Sequence, residues 1–213
     1  MADISTLDES HADDVVRLAA RSIGEIPLYQ WLLGPHVDEA DMREWLAGLI
    51  LRPLLRVGCV TGGWLDGTLV GLLAWQPHDV NLSPDGTPPL TPDDVAVAAR
   101  TPGLRERLLT LWTSQPLPLP VEDAVNVVLA VVDEGDRGGR VLIDMMSSVE
   151  EFCHANDRPF YAWTGSPPLR DWLCALWDGK QFDTAEWGGR MMYGMMSDRP
   201  PAAVRIPRRH AAS

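Results

Sequence analysis

Cysteine, basic side chains and long apolar runs are all scarce in this chain, and each shortage removes a class of protein. The three cysteines, Cys59, Cys153 and Cys174, are odd in number, far apart and set in apolar patterns. They suit reduced, buried thiols rather than a disulfide framework. No Cys/His spacing resembles a zinc site, so no metal is expected. Eighteen Lys and Arg stand against 30 Asp and Glu, a formal charge of −12, which repels phosphate backbones and anionic bilayers. Neither a nucleic acid nor a membrane is an expected partner. No run of about 18 apolar residues is present to span a bilayer, and the opening MADISTLDESHADD is acidic where a signal peptide is basic and then apolar. A cytoplasmic location is the expectation.

Phe and Tyr number only three each against nine Trp, so indoles carry most of the aromatic area. Hydrophobic residues at 46% and charged residues at 23% match a folded globular chain, and no polar linker divides it. The expectation is one domain over 1–197, with a Pro-rich helical excursion over 76–124. A flexible tail over 198–213 follows, whose Arg205, Arg208, Arg209 and His210 read as a solubilising end.

Periodicity supplies the elements. Ile4 to Leu7 reads as a strand, and Ser10-His-Ala-Asp13 as the start of a helix with Val15, Val16, Ala19, Ala20 and Ile23 on one face. A second amphipathic helix is expected from about Glu39 to Leu51, with Pro53 stopping it. Arg56 to Thr61 and Thr68 to Trp75 form a hairpin through Asp66-Gly67, a dipeptide that accepts the positive φ angles of a tight turn. Helices are expected over Pro92 to Arg100 and Leu104 to Trp112. Val125 to Val132 is nearly all apolar, as in a strand covered on both faces. A charged Gly-rich turn, Asp133 to Gly139, then opens a helix whose Val141, Leu142, Met145, Met146, Val149, Phe152 and Cys153 recur at helical spacing. Pro159 to Thr164 is a strand, Pro167 to Trp177 a helix, and Phe182 to Trp187 with Arg190 to Met196 a closing pair around Gly188-Gly189. The class is mixed α/β.

This order, together with Ile4 to Leu18, Leu69-Val-Gly-Leu-Leu-Ala-Trp75 and Leu129-Ala-Val-Val-Asp133, resembles the GNAT acyltransferases over most of residues 3 to 197. The resemblance implies a central twisted mixed sheet flanked by helices, and transfer of an acyl group from acetyl-CoA or another acyl-CoA to the amine of a small molecule. It also implies that the backbone of Ala130, Val131 and Val132 faces the pantetheine arm. The family's phosphate loop, Gln/Arg-x-x-Gly-x-Gly/Ala, falls on Arg137-Gly138-Gly139-Arg140-Val141-Leu142. Arg137 matches, whereas Arg140 and Leu142 fill the small-residue positions. A turn one residue out of register keeps Gly138 and Gly139 near the phosphates, with Arg137 or Arg140 adding charge. The other reading is a solvated turn that only caps a helix.

Near the end, the family's Leu-Tyr-x-x-x-Gly-Phe becomes Leu176-Trp177-Asp178-Gly179-Lys180-Gln181-Phe182. Trp177 thus takes the place of the tyrosine that protonates the leaving thiolate, and an indole donates a hydrogen bond without yielding its proton. Tyr161 and Tyr193 are the alternatives by element. For a base, the candidates are Glu122, Asp123, Asn126 and His78. Trp75, Trp112, Trp163, Trp172, Trp177 and Trp187 lie on or beside cleft-lining elements, as either an apolar pocket or ordinary core. Two further readings stay open: a cleft turned to CoA-independent tailoring of an apolar metabolite, as in secondary metabolism, and a non-catalytic binding domain. A homodimer is compatible with all three.

Overall fold

In the computed structural model, which describes residues 2–114, 117–138 and 140–204, seven strands make one sheet. They are β1 (Asp3–Leu7), β2 (Val60–Leu65), β3 (Thr68–Gln76), β4 (Val125–Val132), β5 (Phe160–Thr164), β6 (Lys180–Trp187) and β7 (Arg190–Met196). Their order across the sheet is β1-β2-β3-β4-β5-β7-β6. Every neighbouring pair is antiparallel except β4 and β5. Those two are parallel and so need a long crossover, which is the helix α6 (Val141–Asn156).

Helices cover both faces, and their apolar stripes meet the sheet. One face carries α1 (Ala12–Ile23) and α3 (Ala40–Arg56), which pack on each other and on β3, and the other carries α6 and α7 (Pro167–Trp177). On α1 the residues Val15, Leu18, Ala19 and Ile23 are buried, the spacing of one helical face. The hairpin between β2 and β3 turns at Asp66 and Gly67 with φ of 49° and 77°, the left-handed pair that Asp-Gly accepts at low cost. Cys59, Cys153 and Cys174 are all free thiols. Among the described residues no helix is long and apolar enough to cross a membrane.

Pro53 does not end α3, contrary to the sequence expectation; the helix runs through it to Arg56. An interior proline costs about 3 kcal/mol by removing a hydrogen bond and crowding the preceding turn. Leu51, Leu54 and Leu55 around it are each at most 2% exposed. Burying each is worth about 1.5–3 kcal/mol, which outweighs that cost.

The excursion between β3 and β4 contains α4 (Pro92–Arg100) and α5 (Leu104–Ser114). A capping box starts α4: Thr91 Oγ1 accepts from the Asp94 N–H, and Asp94 accepts from the Thr91 N–H at 2.9 Å. Arg107 on α5 ties this excursion to the short helix α2 (Pro27–Leu33), donating to the Leu32 and Leu33 carbonyls at 2.6 and 3.1 Å.

Candidate functional site: a gap between two parallel strands

The ladder between β4 and β5 lasts only three rungs, Val125↔Phe160, Asn126↔Tyr161 and Val127↔Ala162. Both strands continue beyond it, β4 to Val132 and β5 to Thr164. They therefore diverge, and among the described residues the edge of Val128–Val132 that faces β5 has no strand partner. On its other edge β4 stays paired with β3, but the register jumps from Ala74↔Leu129 to Trp75↔Val127. Val128 is the extra residue of a β-bulge, which bends the strand and re-aims the groups after it. The Asp133 N–H bonds to the Val70 carbonyl at 2.8 Å. By the alternation of an antiparallel ladder, the peptide groups of Ala130 and Val132 then point into the gap. Such an edge suits an extended, amide-bearing ligand.

The mouth of the gap is the turn from β4 into α6. Gly138 has φ of 77°, and a Cβ placed there would meet nothing within 4 Å. Arg140 is the N-cap of α6, and no side chain caps the helix's first N–H groups, which carry the positive end of the helix dipole. Val141 anchors this start. A Cβ on either Gly63 or Gly71 would lie 2.9 Å from Val141 Cγ1, so the paired glycines let α6 begin close against the sheet. Arg140 itself is exposed and donates to Asp144 Oδ1 at 3.0 Å. Arg137 donates through Nε to the Val132 carbonyl at 3.2 Å and holds Glu25 at 2.9 Å. The Glu25 carboxylate raises the pKa of that guanidinium still further. Beside it, Arg21 reaches Asp133 at 2.9 Å. Gly139 lies outside the described residues.

Most of the chain superposes on solved acetyltransferases. It matches the Corynebacterium glutamicum structure described as histone acetyltransferase HPA2 and related acetyltransferase with a TM-score of 0.64 and 15% identity, over 97% of this chain and 98% of that one. A mosquito arylalkylamine N-acetyltransferase like 5b gives a TM-score of 0.56 at 10% identity, covering 92% and 99% of the two chains. For an agmatine N-acetyltransferase the values are 0.54, 13%, 92% and 98%. This chain has the GNAT fold. No family model and no curated protein matches the sequence.

Within this GNAT fold the expected site residues separate into two groups. Ala130, Val131 and Val132 line the gap or its edge, and Arg137, Gly138, Arg140 and Val141 form its mouth. Asn126 sits at the base, on the row Gln76↔Asn126↔Tyr161↔Met196 across four strands. Tyr161 shares that row, and burial pushes its pKa up to about 12. His78 lies at the opposite end of the β3–β4 ladder from the mouth, 4.0 Å from Asp79. Asp123 pairs with Arg199. Tyr193 pairs with Thr164 and Thr184, with the Arg170 guanidinium 4.7 Å over its ring.

Trp177 has no exposed surface. Its ring meets Phe160 edge-on at 5.6 Å, and its indole N–H donates to Glu150 on α6. Phe160 opens β5, so Trp177 packs at the paired end of the β4–β5 ladder.

The tryptophans divide in the same way. Trp75 faces Phe152 on α6 at 5.2 Å, and Trp112 on α5 is 53% exposed. Trp163 next to the gap packs on Phe182 at 5.2 Å, and Trp187 on Trp31 at 4.6 Å. With Tyr161, also edge-on to Phe182, these rings form an aromatic wall on the α2 side of β5 to β7. The indole N–H groups of both Trp163 and Trp187 are buried without a partner among the described residues. Glu25, Arg21 and Trp31 are the contributors that sequence reasoning missed. Glu25 and Arg21 each meet a partner 112 residues away, a separation with no local signal. Among the described residues, no cluster of three or more His, Cys, Asp or Glu can hold a metal.

Proposed function

We propose that this protein is an N-acyltransferase, moving an acetyl or other acyl group from a CoA thioester to the amine of a small molecule. The observation that carries the proposal is the gap itself: β4 and β5 part after three rungs, leaving the edge Val128–Val132 free beside a Gly-containing turn and an uncapped helix start. These residues fit the co-substrate. The free edge offers amide partners to an extended arm, and Gly138 with the first N–H groups of α6 offers room and positive potential to phosphates. Arg137 and Arg140 stand beside them. Solved proteins of the same fold that are named for arylalkylamine and agmatine acetylation support an amine acceptor.

The thioester supplies an activated carbonyl; the chain's part is to hold it beside an amine. A peptide N–H aimed into the gap, such as that of Ala130 or Val132, can donate to the carbonyl oxygen as charge develops there. Tyr161, on the middle rung before the gap opens, is a candidate proton donor by position; burial raises its pKa and so makes it a weaker acid than an ordinary tyrosine.

A second reading has an observation of its own. With Trp177 locked into the core, the tyrosine position of the GNAT pattern holds no acid, which favours a cleft that binds an apolar ligand without CoA. Calorimetric titration with CoA and thiol release from acetyl-CoA with a panel of amines separate the two. Binding plus thiol release supports acyl transfer, and absence of both sinks it. Changing Arg137 and Arg140 together to Ala should weaken CoA on the order of 10-fold or more, since charged hydrogen bonds are worth roughly 1.5 to 3 kcal/mol each.

A further inference from the structure

We propose that Glu25 is a built-in counter-ion that competes with an anionic ligand for Arg137, and that its release loosens α2 where it covers the aromatic wall. The inference rests on the acyl-CoA reading above. Arg137 has all three guanidinium nitrogens engaged, through three of its five N–H groups: Nε to the Val132 carbonyl at 3.2 Å, Nη1 to Glu25 Oε2 at 2.9 Å and Nη2 to Glu25 Oε1 at 3.1 Å. A carboxylate and a phosphate fit the same fork. A phosphate arriving at the mouth therefore exchanges for Glu25 instead of meeting a free cation. The two side chains are 42% and 59% exposed, so the exchange faces solvent and carries little desolvation cost. Asp133 and Glu134 also act on Arg137, and Arg21 is already engaged by Asp133. Three carboxylates thus crowd the guanidinium, and Glu25 is the one that grips it through both oxygens.

Glu25 also sits in the short turn joining α1 to α2. Its own N–H bonds to the Ser22 carbonyl at 3.0 Å, and Gln30 on α2 donates to the Gly24 carbonyl at 2.8 Å. The helix that follows covers the end of β5 and the β6–β7 turn. Pro27 lies so close to Gly165 that a Cβ there would come within 2.8 Å of it, and Trp31 packs on Trp187 and Gly188. The segment held by Arg137 on one side therefore forms the cover over the aromatic wall on the other. Arg21–Asp133, one turn earlier, remains as the fixed end when Glu25 lets go.

The test compares wild type with Glu25→Gln by calorimetric titration with CoA and with pantetheine, which lacks the phosphates, and by amide hydrogen exchange over residues 24–33 without ligand. Glu25→Gln should bind CoA about two- to fivefold tighter, the range for releasing a half-exposed ion pair. The gain should shrink as salt is raised to about 0.5 M. Pantetheine affinity should not change, and exchange over 24–33 should be faster in the variant. Equal or weaker CoA binding by the variant, or an equal gain for pantetheine, overturns the competition; unchanged exchange overturns the coupling to α2. If neither protein binds CoA, the acyl-CoA reading falls and takes this inference with it, whereas equal binding by both sinks the counter-ion role alone. Should Glu25→Gln fold poorly, Glu25→Asp, which draws the carboxylate back by one methylene, gives the same comparison.

Discussion

Changing Trp177 to Phe should destabilise the fold by about 2–3 kcal/mol and leave CoA affinity at the β4–β5 gap unaltered. The smaller ring gives up the equivalent of two CH₂ groups of buried area at about 0.8 kcal/mol each, in a site with no exposed surface. Losing the indole N–H leaves the Glu150 carboxylate without its donor, worth about 1 kcal/mol once discounted for a group only half buried. For a chain of this size the melting temperature should fall by roughly 5–10 °C. The loss should also depend on pH. Burial raises the Glu150 pKa and the indole N–H pulls it down, so removing the indole raises it further. A carboxylate whose folded pKa is raised favours the folded state when protonated, and that contribution fades as pH climbs through the window above the ordinary Glu value. The deficit of the variant should therefore be larger at neutral pH than in mild acid. Urea unfolding followed by far-ultraviolet circular dichroism at both pH values, beside a CoA titration, measures each part. An unchanged unfolding midpoint with lost CoA binding would refute the reasoning, because it would put Trp177 against the ligand.

Two further outcomes are expected. Arg107→Ala should cost about 1–3 kcal/mol in urea unfolding, because two carbonyls ending α2 lose their donor. Lys at that position should recover less than half, for want of the fork. Asp79 accepts both arms of Arg158, which holds its pKa down to about 2 from 3.8. The stability this lends is present above the ordinary value and is lost as pH falls towards the depressed one. Asp79→Asn should flatten the unfolding midpoint against pH across that window, and an unchanged acid arm would count against the pair.

Much of the scaffold was legible because local chemistry dictated it. Asp66-Gly67 could hardly be anything but a tight turn, and the nearly all-apolar run Val125 to Val132 is a strand, although it is not covered on both faces: Ala130 is exposed where the strand borders the gap. Pro53 misled because a local rule was overridden by three buried leucines. The site was less legible. Nothing in Val-Asn-Val-Val-Leu-Ala-Val-Val marks Val128 as the bulge that turns Ala130 and Val132 towards the gap. Arg137 could be singled out by its place before Gly138, but its grip on Glu25 depends on α1 folding back across the sheet. The resemblance put Trp177 at a catalytic position, while its depth in the core came only from the packing of Phe160 and Glu150 around it.

The bulge at Val128 also limits how the gene can change. Deleting that residue would leave the remaining pairs in place, Val127 opposite Trp75 and Leu129 opposite Ala74, but would remove the bend that aims the following peptide groups at the gap. Losing Ala130 instead would turn either Leu129 or Val131, 4% and 2% exposed, to the opposite face. A codon lost or gained here is thus far more damaging than one in the exposed stretch before α4. Length variation among descendants of this sequence should collect in that stretch and spare β4.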